Sequence, residues 1–377
     1  MEPYTPEKLP LGSIDWEKHV SAIGKANRAL AKYDGILQVI INPQILLAPL
    51  TTQEAVLSSR IEGTQASLED FLQYEADVGE PSELEEREIT PAIGEFHEIK
   101  NYCRAMDAAV EELKRRPLCT NVVRDLHRIL LAGVRGKNKN PGEIRTSQNW
   151  IAPLGTPIER ATFVPPDPWE VMDALSNWEL YLHSKEEVYI DRIVQLAVLK
   201  AQFELIHPFL DGNGRIGRML VPLILYSKGV ISSPTFYISS YLERNRDRYY
   251  ERLLAISQEG DWNGWIDFFL RAVVEQADEN SQKAKAVNEL FNRMKQQVPE
   301  ITHSQYSIQA IDTIFSRPII NSSEFIKKSG IPKPTALKML RELKDNDILK
   351  LSREGRGRRP NTYAFSELID IIQLSVF

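Results

Sequence analysis

The sequence is poor in the features that mark secreted or membrane-bound proteins. Only two cysteines, Cys103 and Cys119, occur in 377 residues, which excludes a disulfide scaffold and predicts free thiols in a reduced compartment. Residues 1–10 contain no apolar run, and no segment of the sequence reaches the length of a transmembrane helix. We therefore expect a cytoplasmic protein with no membrane partner.

Internal repeats and low-complexity segments are also absent from the sequence. Hydrophobic residues make up 42% of the chain and charged residues 26%, values typical of a globular protein, and the length suits two or three domains. Apolar residues recur mostly at helical spacing, so the predicted fold class is mainly α. The predicted domains are an N-terminal helical region at 1–90, a central core at 91–297 and a C-terminal domain at 298–377.

The densest group of polar residues is the segment 207–218, which reads HPFLDGNGRIGR. It combines a histidine, a carboxylate, glycines and two arginines, which supply the base, metal ligand, backbone donors and charges that phosphoryl or nucleotidyl transfer needs. Pro208 should end the preceding helix and leave His207 extended. A second helix is predicted to start near residue 213, and the free N–H groups of its first turn favour an anion. The segment therefore predicts an active site.

Two other signals in the sequence carry less weight. The glycine spacing at residues 212–217 matches a dinucleotide-binding motif, but that motif follows a β-strand, whereas a helical pattern precedes it here. The histidines outside the motif fall in helical patterns and are predicted to be structural or surface residues; they are His19, His97, His127, His183 and His303.

The segment 207–218 resembles the signature of the Fic family at every defining position, and the chain is similar to that family over residues 43–274. The resemblance implies a Fic-type helical bundle that transfers AMP from ATP to a Ser, Thr or Tyr hydroxyl of a protein and releases pyrophosphate. It also implies that His207 is the general base and that Asp211 binds Mg²⁺. The residues implied to hold the phosphates of ATP are Gly212, Asn213, Gly214, Arg215 and Arg218, the last of them at the γ-phosphate.

A second motif precedes the catalytic one by many residues. Residues 51–63 are predicted to form a short helix, and Ser58-x-x-x-Glu62-Gly63 at its end is similar to the inhibitory motif of Fic proteins. The resemblance implies that Glu62 pairs with Arg218 and occupies the site of the γ-phosphate. The alternative is an ordinary solvated glutamate in the last turn of a helix, where its charge opposes the helix dipole.

Two β-prone stretches separated by proline and glycine predict a small hairpin at residues 144–165. The hairpin resembles the Fic flap, which would dock a target as an added strand along Ile144 to Ile151. The alternative is a hairpin that only covers the core. Gln202 and Asn245 are similar to nucleotide-contacting positions of related proteins, although a polar residue on the open face of a helix explains each equally well.

The C-terminal domain differs from the rest of the chain. Residues 306–343 predict three helices, and residues 348–365 predict two strands around a basic, glycine-rich loop, which together resemble a winged helix-turn-helix domain. Residues 326–360 hold 11 Lys or Arg and 4 Asp or Glu, a net charge of +7; the whole chain carries −6, so the rest carries −13. This asymmetry favours contacts with DNA phosphates. A protein-contact or dimerisation module is the alternative.

Two classes of function follow from these patterns. The first is an autoinhibited protein adenylyltransferase with ATP as substrate, Mg²⁺ as cofactor and a protein as target, the protein itself included. The second is a DNA-binding transcription regulator that senses a nucleotide through its Fic domain and modifies little. Assembly into a homodimer is implied only by the resemblance to the family.

Overall fold

The computed structural model describes residues 2–40, 43–78, 91–153, 155–184, 191–356 and 359–374. Helices dominate this part of the chain, so the mainly α fold class is confirmed. The helices are α1 Trp16–Val39, α2 Pro43–Ile61, α3 Leu68–Val78, α4 Pro91–Leu113, α5 Thr120–Leu130, α6 Val171–Leu182, α7 Arg192–Ile206, α8 Asn213–Ser227, α9 Ser239–Arg244, α10 Arg246–Glu259, α11 Trp262–Thr302, α12 Ser307–Ser316, α13 Ser322–Ser329, α14 Lys333–Asp345 and α15 Ser366–Gln373. None of these described helices combines the length and the apolar character that crossing a membrane requires.

The chain divides into two compact units, and each is built from non-contiguous segments. The first unit consists of Met1–Asp34, Leu57–Thr64 and His97–Asp278. The second unit consists of Gly35–Val56, Gln65–Phe96 and Glu279–Phe377. The division into three domains that the sequence suggests stays a prediction.

Helix α7 lies at the centre of the first unit and is buried along its whole length from Ile193 to Ile206. Asp191 caps its start, because the side chain accepts hydrogen bonds from the N–H groups of Ile193 and Val194 at 2.9 and 3.1 Å. Two indole N–H groups, those of Trp178 and Trp265, donate to carbonyl oxygens of this helix, each at 2.8 Å. Helix α7 therefore holds the segment that begins at His207 in a fixed position.

The predicted inhibitory helix is longer than the sequence suggested. We expected it to begin near Thr51, but α2 begins at Pro43 and continues through Pro49. The expected start was wrong because Pro43 suits the first position of a helix, whereas Pro49 lies inside α2 and removes one backbone hydrogen bond without ending the helix. Glu62 follows the last helical residue, Ile61, in a turn closed by a hydrogen bond from its N–H to the carbonyl of Ser59 at 3.0 Å.

The predicted hairpin at residues 144–165 is reduced to one antiparallel bridge. Ile151 pairs with Phe163, and a short 3₁₀ turn lies at Ile158–Arg160. No strand forms in the described part of this segment, and Leu154 lies outside the described residues. The prediction of two strands was wrong because the segment is rich in proline, which has no N–H group for a longer ladder; the prolines are Pro153, Pro157, Pro165 and Pro166.

The second unit contains a three-stranded antiparallel sheet made of β1 Ile319–Asn321, β2 Lys350–Arg353 and β3 Thr362–Ala364, in the order β1-β3-β2. Along the chain the order is α12, β1, α13, α14, β2, β3 and α15. Helix α3 packs against β1, and the Asn321 side chain donates to the carbonyl of Ala76 at 2.5 Å. Strand β1 and helix α15 were not predicted.

Candidate active site

The predicted catalytic segment forms the turn between α7 and α8. His207 ends α7 in the left-handed region, with φ of 50° and ψ of 59°, so the extended geometry expected for it was wrong. Pro208 disfavours the right-handed helical region for the residue before it, and the left-handed region costs a non-glycine residue about 1–2 kcal/mol. Such a conformation persists when the surroundings fix it. Here the His207 carbonyl accepts a hydrogen bond from Arg145 Nε at 2.9 Å.

The imidazole of His207 is held in one tautomer. Its Nδ1 lies 3.2 Å from the carbonyl oxygen of Glu204, and because a carbonyl can only accept, Nδ1 carries the proton. Burial is the main cause that lowers the pKa of His207 below its usual value, and the nearby charge of Arg145 lowers it further. The ring is therefore neutral at pH 7, with the lone pair on Nε2. An imidazole in this state can take a proton from a hydroxyl group.

Asp211 lies on the open side of the same turn. Its side chain is 33% exposed, and Oδ1 accepts a hydrogen bond from the N–H of Gly212 at 2.6 Å. Oδ1 also lies 3.5 Å from Arg215 Nη2. No cluster of three or more metal-binding side chains occurs in the described residues. One exposed carboxylate fits Mg²⁺, which is commonly held by one or two carboxylates together with the phosphates of a substrate.

Two of the glycines of the motif, Gly212 and Gly214, lie at the start of α8. Gly212 precedes the helix with φ of 79°, a conformation that glycine adopts without strain. A Cβ atom on Gly214 would overlap Oε1 of Glu62, so the absent side chain is what lets that carboxylate approach. The Glu62 carboxylate therefore lies against the N-terminal end of α8, where the free N–H groups favour a negative charge.

Arg218 is buried and is bound by residues of the predicted inhibitory motif. Its Nη2 lies 2.7 Å from Glu62 Oε1 and 2.8 Å from the Ser58 carbonyl, and its Nε donates to Ser58 Oγ at 2.8 Å. Burial alone would raise the pKa of Glu62, but Arg218 holds it below its usual value. Burial disfavours the charge on Arg218, but Glu62 raises its pKa above the usual value. Glu62, Ser58 and Arg218 thus form one charged, hydrogen-bonded group.

Arg215 is also buried, and it binds a carboxylate from another helix. Its Nη1 lies 3.1 Å from Oε2 of Glu98 in α4, while Nη2 faces Asp211. Glu98 is shared with Arg135, whose Nε lies 3.4 Å from Oε1. The positive charge next to Asp211 is therefore only partly offset by Glu98.

The amides predicted to contact the nucleotide have partners within the protein. Asn213 braces the turn: its Oδ1 accepts from the N–H of Phe209 at 2.9 Å and its Nδ2 donates to the Phe209 carbonyl at 2.8 Å. Gln202 donates to the carbonyl of Glu7 at 2.9 Å, and Asn245 donates to the carbonyl of Tyr241 at 3.0 Å. The contact of each amide with a nucleotide stays a prediction.

The predicted docking segment, Ile144 to Ile151, is attached near both of its ends to the turn between α7 and α8. The N–H of Arg145 donates to the Pro208 carbonyl at 2.9 Å, and Asn149 Nδ2 donates to the Phe209 carbonyl at 3.0 Å. Trp150 and Ile151 are each 43% exposed. Binding of a target along this segment stays a prediction.

Two residues that support the turn were missed as part of the site. Arg145 is buried, and its guanidinium donates to backbone carbonyls that include those of His207 and Pro166. His127 is fully buried, and burial lowers its pKa to about 4. His127 was predicted to be a structural or surface residue because it falls in a helical pattern, that of α5. No local pattern in the sequence signals its proximity.

Comparison with known proteins identifies the family. The profile of the Fic/DOC family N-terminal region matches residues 20–111, and the profile of the Fic/DOC family matches residues 117–225. Together the two matches cover more than half of the chain. The chain belongs to the Fic/DOC family. A Fic family protein from Desulfovibrio desulfuricans G20 has the same fold, with a TM-score of 0.54 and 17% identity over 97% of this chain and 98% of that one.

Curated relatives of this Fic protein are similar over shorter segments. The protein adenylyltransferase Fic of Aedes aegypti is 29% identical over 127 residues, 34% of this chain and 22% of that protein. A probable protein adenylyltransferase of Aquifex aeolicus is 34% identical over 93 residues, 25% of this chain and 26% of that protein. The chain therefore spans only about a quarter of the length of these relatives. A structure of Fic-1 from Caenorhabditis elegans has a TM-score of 0.51 and 23% identity over 72% of this chain and 74% of that one.

Proposed function

We propose that this protein transfers AMP from ATP to a hydroxyl side chain of a protein and releases pyrophosphate. The observation that carries the proposal is the state of His207, whose Nδ1 donates to the Glu204 carbonyl and whose Nε2 lone pair is available as a base. The names of the curated relatives, which are protein adenylyltransferases, support the same reaction.

The chemical roles follow from the positions of the side chains. His207 Nε2 would remove the proton of the target hydroxyl, and that oxygen would form a bond to the α-phosphorus of ATP. The bond from the α-phosphorus to the bridging oxygen breaks, and pyrophosphate leaves with the bond electrons. Asp211 would hold Mg²⁺, which offsets phosphate charge when bound. The N–H groups at the start of α8, together with Arg215 and Arg218, would bind phosphate oxygens.

We further propose that Glu62 inhibits this reaction. Its carboxylate lies against the first turn of α8 and binds Arg218 at 2.7 Å, so it is a negative charge at the place proposed for a phosphate. A γ-phosphate and this carboxylate cannot share the same guanidinium group without repulsion between like charges. Release of Glu62 would remove this negative charge from Arg218 and from the end of α8 together.

The test uses ATP labelled at the α-phosphate with Mg²⁺ and the full chain. We expect the Glu62→Gly variant to label protein, and we expect the added His207→Ala substitution to abolish the label. A His183→Ala substitution is the control, because His183 lies at the end of α6 and its Nε2 donates to the carbonyl of Leu118, away from the turn between α7 and α8. Label that persists without His207 would contradict the proposed mechanism.

A second candidate function rests on the second unit. We propose that the second unit contains a winged helix-turn-helix domain. Helices α13 and α14 lie between β1 and β2 in the chain, and β3 lies between these two strands in the sheet, an arrangement that suits such a domain. Lys333, Lys338 and Arg341 are exposed on α14, the helix that would enter a DNA groove. This supports the alternative of a nucleotide-sensing DNA-binding regulator with little transferase activity.

Binding to duplex DNA at low salt tests this second candidate. We expect neutralisation of Arg356 and Arg359, both exposed in the loop after β2, to abolish the binding. Arg358, which belongs to the same predicted basic loop, lies outside the described residues. Neutralisation of Lys8 and Lys25, which are exposed in the first unit, is the control. An unchanged affinity after the arginine substitutions, or no binding at all, would exclude this role.

A further inference from the structure

His127 makes two hydrogen bonds whose chemistry fixes its tautomer. The backbone N–H of Gly142 lies 2.8 Å from Nδ1, and because an N–H group can only donate, Nδ1 is the acceptor. The proton is then on Nε2, which donates to the backbone carbonyl of Asp211 at 2.9 Å. Only the neutral ring with this tautomer makes both bonds. The imidazole therefore connects two backbone segments with defined polarity.

The ring also contacts the rest of the turn. It stacks on Phe209, with centroids 3.8 Å apart and an angle of 8° between the planes. A Cβ atom on Gly212 would lie 3.5 Å from His127 Nε2, so the ring packs closely against the backbone after Asp211. One buried side chain thus touches the turn on both sides of Asp211.

The bond to Asp211 acts on the residue proposed to hold Mg²⁺. Fixing the Asp211 carbonyl fixes the peptide plane that leads into Gly212, and the N–H of Gly212 is the donor to Asp211 Oδ1. The orientation of the carboxylate is therefore set by a backbone that His127 holds in place. Partners that orient a metal ligand from behind typically change metal affinity 10- to 100-fold when they are removed.

We propose that His127 is a positioning residue for the metal ligand Asp211 and that its Nε2–H is the group that matters. The inference rests on the proposed function, because it takes Asp211 as the ligand of Mg²⁺. His127 touches neither the reacting atoms nor the metal. It acts through the Asp211 backbone, and its bond to Gly142 fixes the tautomer that makes this possible.

Two substitutions separate the two hydrogen bonds. In His127→Gln the side-chain amide extends far enough to donate to the Asp211 carbonyl, as Nε2 does. In His127→Asn the shorter side chain can accept from the Gly142 N–H, as Nδ1 does, but it does not reach Asp211. Both are made in the Glu62→Gly background, so that the inhibitory carboxylate does not compete with the nucleotide. His183→Asn is the matched control, because Nε2 of that ring also lies against a backbone carbonyl, 2.7 Å from Leu118.

The readout is binding of α,β-methylene ATP, which cannot transfer AMP, measured by calorimetry over a series of Mg²⁺ concentrations. We expect His127→Gln to bind the analogue at about the same Mg²⁺ concentration as the Glu62→Gly parent. We expect His127→Asn to need a Mg²⁺ concentration at least about 10-fold higher. Thermal unfolding of both variants reports on folding separately. If the two variants need the same Mg²⁺ concentration to bind the analogue, whether as low as the parent or higher, the proposal is overturned.

The two proposals fail in different ways. If the Glu62→Gly protein binds the analogue with Mg²⁺ but transfers no label from ATP, the proposed function fails while the comparison of His127 variants still stands. If it transfers label and the His127→Asn variant binds Mg²⁺ and analogue as the parent does, the positioning role fails and the proposed function stands.

Discussion

Replacing Glu62 by glycine removes the contact proposed to hold the protein inactive. The contact is a hydrogen bond between charged groups, with 2.7 Å between Glu62 Oε1 and Arg218 Nη2. Hydrogen bonds to charged groups contribute about 1.5–3 kcal/mol. The Glu62 side chain is 32% exposed, so the lower part of that range, about 1.5–2 kcal/mol, is the appropriate value. Each 1.4 kcal/mol is a factor of about ten, which predicts an increase in labelling rate of roughly 10- to 30-fold.

The assay measures the initial rate of label transfer from α-labelled ATP below saturation. Glu62→Gln removes the charge but keeps the shape, so we expect it to fall between wild type and Glu62→Gly. Glu367→Gln is the matched control, because Glu367 is a half-exposed carboxylate paired with Arg293 in the second unit. If the Glu62→Gly protein is folded and labels no faster than wild type, the reasoning about the Glu62–Arg218 contact is refuted.

Three further predictions concern residues around the same site. Ser58→Ala removes the acceptor of Arg218 Nε, a hydrogen bond to a charged group worth about 1.5 kcal/mol, and should raise basal labelling about tenfold; an unchanged rate would argue against Ser58 as part of the inhibitory contact. Because burial lowers the pKa of His207, the labelling rate of Glu62→Gly should stay constant as the pH is lowered to about 6.5 and decrease only below it. A rate that already decreases above about pH 6.5 as the pH is lowered would contradict this. Lys200→Met leaves the buried Glu204 without its partner at 2.7 Å and should lower the free energy of unfolding by about 3–5 kcal/mol in denaturant titrations, whereas Lys114→Met, at an exposed pair, should cost under about 1 kcal/mol.

The sequence was most informative where the relevant residues are close together in the chain. Residues 207–218 contain the proposed base, the carboxylate, the glycines and both arginines, and the helical patterns on each side correctly indicated α7 and α8. Helix α7 is buried on all faces. Its ends can still be located in the sequence, because Asp191 is a capping residue before its start and Pro208 follows its end. The mainly helical fold and the position of the turn between α7 and α8 could therefore be predicted.

Long-range contacts account for what the sequence did not show. The buried side chains of His127 and Arg145 bind backbone groups of the catalytic turn, and no spacing in the sequence reports a hydrogen bond to a distant carbonyl. One of these contacts, the hydrogen bond from Arg145, accompanies the left-handed conformation of His207. Strand β1 has only three residues and becomes a strand only by pairing with β3, so local pattern could not reveal it.

The central claim is most directly tested by comparing two labels on the same protein. The Glu62→Gly variant is incubated with Mg²⁺ and ATP that carries the label either on the α- or on the γ-phosphate, with and without His207→Ala. The account predicts covalent label from the α-phosphate only, and none when His207 is replaced. Label from the γ-phosphate, or α-label that does not require His207, would contradict it.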